Sequence, residues 1–96
     1  MKLVFVSYNI TMHGEILEIL ARLGLESYTR WGEVTGAGRA SGPHLDTHVW
    51  PGKNSAIAVV AEDDDARRLM DEIRKLRTKA AREGVKAFML PVEDVT

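Results

Sequence analysis

The chain has 96 residues, 13 basic and 14 acidic for a formal net charge of −1, and 45% of them are hydrophobic. That length builds one domain, expected to span 1–96, and the charge balance lacks the basic excess by which a protein draws nucleic acid or an anionic membrane surface. The absence of cysteine excludes disulfides, thiolate metal sites and cysteine nucleophiles. The apolar run in the N-terminal MKLVFVSYNI is too short for a signal peptide, and no segment approaches the length of a membrane span. Cytoplasmic residence without membrane insertion is the expectation.

Lys2 to Tyr8 is a β-branched and aromatic run that reads as a strand. Asn9 or Thr11 then offers a side-chain oxygen to cap a helix, whose apolar stripe is Ile16, Leu17, Leu20 and Leu23. Gly24 stands where a helix C-terminus calls for a left-handed residue. Glu26 to Thr35 returns to a strand pattern with Tyr28, Trp31 and Val34, and Gly36 to Asn54 follows as a loop with four glycines and two prolines. Ser55 to Ala61 (SAIAVVA) reads as a central strand buried on both faces. Asp63, Asp64 and Asp65 put negative charge at the start of a second helix, where the macrodipole favours it. Ala66, Leu69, Met70, Ile73, Leu76 and Ala80 form its stripe, Gly84 stops it, and Val85 to Val92 is a last strand.

The order predicts a ferredoxin-like βαββαβ domain of the α+β class, a four-stranded antiparallel sheet with two helices on one face. Two helices cover one face only, yet both alternating sets of the strands are apolar. Leu3 and Phe5 oppose Val4 and Val6, Ile57 and Val59 oppose Ala58 and Val60, and Val85 and Met89 oppose Phe88 and Leu90. An uncovered antiparallel face is normally polar, and an apolar one of this extent marks an interface. An oligomer is therefore expected, and at 96 residues association also helps a small core.

Trp31-Gly32-Glu33-Val34-Thr35-Gly36-Ala37-Gly38-Arg39 with the following Gly42-Pro43-His44 resembles the end of the second strand and the start of the long T-loop in PII nitrogen-regulatory proteins. The element order matches along the whole chain, as does a glycine followed by a lysine, Gly84 and Lys86, before the last strand. The resemblance implies a homotrimeric signalling protein that binds AMP, ADP or ATP between subunits and docks on a transporter, enzyme or regulator through residues 40–54. It assigns Gly36, Gly38 and Arg39 to the base of the nucleotide cleft and Lys86 to the phosphates. The chemistry is apt, because glycines let backbone N–H groups approach an anion and Arg or Lys adds charge-assisted donors. Read without the family, Gly36-x-Gly38-Arg39 is more simply a strand-end turn that needs positive φ. Several positions depart from the pattern. Ala40 stands where the family has a glutamine used with Mg-ATP and 2-oxoglutarate, the loop is shorter and lacks the modified tyrosine, and no arginine follows Lys86. AMP or ADP is accordingly expected ahead of Mg-ATP.

In an extended segment His44, Asp46 and His48 would share one side, two imidazoles and a carboxylate suited to Zn²⁺, Cu²⁺ or Ni²⁺. The CutA-type proteins, distant relatives linked to metal tolerance, support that alternative; the other reading is a polar loop arm. Trp50 beside Pro51-Gly52 reads as a turn anchor, and His13 as a surface residue. Ser41 and Ser55 have no evident base-and-acid partners, so no enzyme is expected. An assembly module whose loop binds a protein without any small ligand is a third option.

Overall fold

The computed structural model describes residues 1–37, 53–79 and 84–96. The elements run β1 (Lys2–Asn9), a 3-10 turn (Ile10–Met12), α1 (His13–Arg22), β2 (Thr29–Val34), β3 (Asn54–Ala61), α2 (Asp63–Lys79) and β4 (Val85–Pro91). All pairings are antiparallel and the strand order is β2-β3-β1-β4. The fold is thus the ferredoxin-like arrangement that the sequence predicts.

Alternation along the strands creates the core. Val4, Val6 and Tyr8 of β1 pair with Val59, Ile57 and Ser55 of β3, and Val85 of β4 lies opposite Tyr8. Their apolar side chains meet Met12, Ile16, Ile19 and Leu20 around α1 and Ala66, Leu69, Ile73 and Leu76 of α2 in one cluster. Each fully buried aliphatic of this kind contributes about 1.5–3 kcal/mol through removal from water. The caps are local. Asn9 Oδ1 accepts from the backbone N–H of Thr11 at 2.9 Å and from its hydroxyl at 2.7 Å. Gly24, at φ +74°, stops α1 in the left-handed region that a β-carbon penalises. Arg22 of α1 reaches Glu72 of α2 at 2.7 Å, and the guanidinium, helped by Lys75, holds that carboxyl below its ordinary range.

The two faces of the sheet differ as the alternation requires. On the face away from the helices Trp31, Val60, Phe88 and Leu90 are 45%, 44%, 51% and 47% exposed. Phe5 and Trp31 lie with ring centroids 6.1 Å apart on that face. β3 is central but not buried on both faces within one chain, because Val60 looks outward into an uncovered surface. Two further expectations need correction. β2 begins at Thr29 rather than Glu26: the helix exit closes where Leu25 N–H returns to Leu20 C=O at 2.8 Å, and pairing with β3 starts only at Thr29 opposite Ala58. His13 is not a free surface residue but half-buried at the start of α1.

Candidate functional site

One rim of the sheet gathers the ends of all four strands. Val34 pairs with Asn54, Asn54 with Asn9, and Asn9 N–H donates to Gly84 C=O at 3.0 Å. Ile10 N–H adds a bond to Lys53 C=O at 2.9 Å. This row of backbone contacts fixes where the β2–β3 loop leaves and where β4 enters. Gly36 lies two residues beyond Val34, and Lys86 is the second residue of β4.

These two residues share a rim but not an edge. β2 and β4 are the outermost strands, separated by three interstrand spacings, which is roughly 14 Å. Lys86 is exposed on the apolar face, opposite Ser7, with its Nζ 6.0 Å from the Phe88 ring centre. Gly36 is exposed beyond the other edge, with open space around its α-carbon, and Lys53 pairs with Glu33 of β2 at 3.7 Å. A single chain therefore does not close one anion pocket around both. Gly38, Arg39, His44, Asp46, His48 and Trp50 lie outside the described residues, as does Ala80. Among the described residues no group of three or more His, Asp or Glu is placed to hold a metal ion.

A polar cluster behind this rim is not evident from sequence motifs. Tyr8 is 1% exposed, so its hydroxyl needs partners within the fold. It lies 2.7 Å from His13 Nδ1, and the two rings stack at 5.8 Å with an interplanar angle of 7°. Arg30 and Ser55 act on the same hydroxyl. Ser55, fully buried, accepts from Arg30 Nη2 at 3.4 Å and donates to Gly32 C=O at 2.7 Å. That carbonyl is available because β2 carries one extra residue between Trp31 and Val34, where the register against β3 shifts. Burial raises the Tyr8 phenol above its ordinary pKa, while burial and then the Arg30 charge lower that of His13. The available clue in the sequence was parity: Tyr8 continues the inward series Val4, Val6, and an inward tyrosine requires a polar neighbour.

The class these features define is a small ferredoxin-like α+β protein with one uncovered apolar sheet face and a rim at which Gly36 and Lys86 lie towards opposite outer strands. The sequence profile of the nitrogen regulatory protein P-II family matches residues 1–96, and the chain belongs to that family. The family is a regulatory one. No curated protein sequence matches the chain. Solved structures share its fold at low identity. A PII-like signaling protein of Thermus thermophilus is 20% identical with a TM-score of 0.67, over 92% of this chain and 82% of that one. CPII of Thiomonas intermedia, a nitrogen regulatory PII-like protein bound to ADP, AMP and bicarbonate, is 14% identical with a TM-score of 0.73, over 99% and 92%. Its apo form aligns with a TM-score of 0.67 at 15% identity, over 95% and 89%. Among the described residues no helix is long and apolar enough to cross a membrane.

Proposed function

We propose that the chain is a trimeric regulatory protein that binds an adenine nucleotide, AMP or ADP, in clefts between subunits. It signals occupancy to a protein partner through residues 40–54. The observation that carries this reading is the division of the rim: Gly36 and Lys86 sit at one end of the sheet on opposite outer strands. Association through the apolar face brings the β2 edge of one subunit towards the β4 edge of the next. Gly36, Gly38 and Arg39 of one chain then face Lys86 of its neighbour across an anion. The nucleotides bound by CPII support the choice of ligand. Lys86 on the apolar face, beside Phe88, suits a cation held at a subunit boundary.

The test uses two variants and their mixture. A charge-assisted contact to phosphate contributes about 1.5–3 kcal/mol, so Arg39→Ala and Lys86→Ala each weaken ADP binding by roughly tenfold or more in calorimetric titration. Because the two residues come from different chains, refolding both variants together restores full affinity at a fraction of the sites. Each remaining tight site combines an intact Arg39 with an intact Lys86. Unchanged affinity in either variant, or mixed trimers with no tight sites, would overturn the inter-subunit cleft.

A further inference from the structure

On the uncovered face one row of paired residues, Trp31–Ala56–Ser7–Lys86, runs across all four strands. Below it lie the rows of Ala58, Phe5 and Phe88 and of Val60, Leu3 and Leu90; towards the rim comes the pair Asn54 and Asn9. The row is where the apolar face gives way to polar residues. Building on the adenine-nucleotide reading above, we propose that Trp31 is the base platform of that cleft. Its indole stacks on the purine, while the phosphates reach Gly36 of the same chain and Lys86 of its neighbour.

The indole is laid flat and held. Trp31 belongs to β2 and Phe5 to β1, two interstrand spacings or roughly 9.5 Å apart. Their ring centroids are nevertheless 6.1 Å apart, with planes inclined at 55°. The indole therefore leans inward across β3. Ala56, its pairing partner on that strand, alternates with the inward Ile57 and so faces the same way, yet it is 1% exposed. A methyl group is a side chain over which a large ring can lie down, and the tilted contact with Phe5 fixes the ring's orientation. Trp31 remains 45% exposed, so the side of the ring turned away from the sheet is open. A pre-oriented ring of this kind takes a base at small entropic cost, and stacking requires no hydrogen-bond readout.

The surroundings of the ring match a nucleotide, which joins an apolar planar base to anionic phosphates. Gly36 follows Trp31 by five residues, at most roughly 17 Å along an extended chain. Lys86 stands in the Trp31 row on the opposite outer strand. When the β2 edge of one subunit approaches the β4 edge of the next at the same height, an ammonium group comes up beside the indole. A purely apolar contact between subunits has no use for a cation at this height, and Phe5, Phe88, Leu3 and Leu90 in the rows below supply such a contact without it.

The experiment is calorimetric titration of the full chain with ADP, with sedimentation equilibrium run on each protein. Trp31→Leu keeps an apolar side chain but no ring, and Trp31→Phe keeps a smaller ring. Trp31→Leu is expected to assemble as the wild type does and to bind ADP roughly tenfold more weakly, with Trp31→Phe between the two. In Trp50→Phe the indole emission comes from Trp31 alone, and ADP quenches it along the binding isotherm. Wild-type affinity in Trp31→Leu, affinity in Trp31→Phe no better than in Trp31→Leu, loss of assembly in Trp31→Leu, or emission that ADP leaves unchanged overturns the platform while the adenine-nucleotide reading stands. A wild type that binds no ADP overturns that reading and the platform with it.

Discussion

Phe88→Asp is expected to convert the proposed trimer to monomers while leaving the fold of each chain intact. Phe88 is half exposed beside Lys86 and alternates with Leu90 on the face that no helix covers. Leu3, Phe5, Ala58 and Val60 extend the same face across β1 and β3 through the pairings Leu3–Leu90, Phe5–Phe88 and Phe5–Ala58. Burying an unpaired carboxylate there removes the apolar gain of about 1.5–3 kcal/mol for the phenylalanine and adds a desolvation cost. In a closed trimer the change occurs in every subunit, so its effect on assembly is tripled. Sedimentation equilibrium should give three times the 10.7 kDa chain mass for the wild type and one chain mass for the variant. The far-UV circular dichroism should be unchanged. A trimeric variant would place the interface elsewhere.

Leu69→Ala is the counterpart on the helix side. Leu69 is 1% exposed in α2 and lies in the same cluster as Val4, Val59, Ile16 and Ile73. Removing a buried isobutyl group leaves a cavity and costs about 2–5 kcal/mol. A domain of this size has roughly 5–15 kcal/mol of stability in total, so a fall in Tm of at least 8 °C is expected. The comparison is Val60→Ala, on the uncovered face, measured in the Phe88→Asp background so that assembly does not contribute. That change should cost less than about 1 kcal/mol. Equal losses at Leu69 and Val60 would mean that the two sheet faces have been assigned wrongly.

The alternation in β1, β3 and β4 made the inner and outer faces legible from the sequence, because a period of two sends Val4 and Val6 to one side and Leu3 and Phe5 to the other. Gly24 was legible for a similar reason: a glycine after a 3.6-period stripe marks a left-handed stop, and it has φ +74°. The start of β2 was not. Tyr28 looks like a strand residue by type, but pairing with β3 starts only at Thr29. His13 was misjudged because it is covered by the stacked Tyr8 ring of β1, a contact that the residue pattern of α1 alone does not encode. The rim positions Gly36 and Lys86 could be named from the family pattern, whereas their separation onto opposite outer strands required the sheet order. Gly38, Arg39, His44, Asp46 and His48 lie outside the described residues, so for them the sequence pattern stands alone.

The proposed function makes this P-II family member an adenine-nucleotide sensor whose sites form only between subunits. Calorimetric titration of the wild-type chain with ADP, repeated on the monomeric Phe88→Asp protein, tests it most directly. Saturable binding of one ADP per chain in the micromolar to millimolar range, lost in the monomer, is the predicted result. Absence of binding by ADP and AMP to the wild type, or equal binding by the monomer, would contradict it.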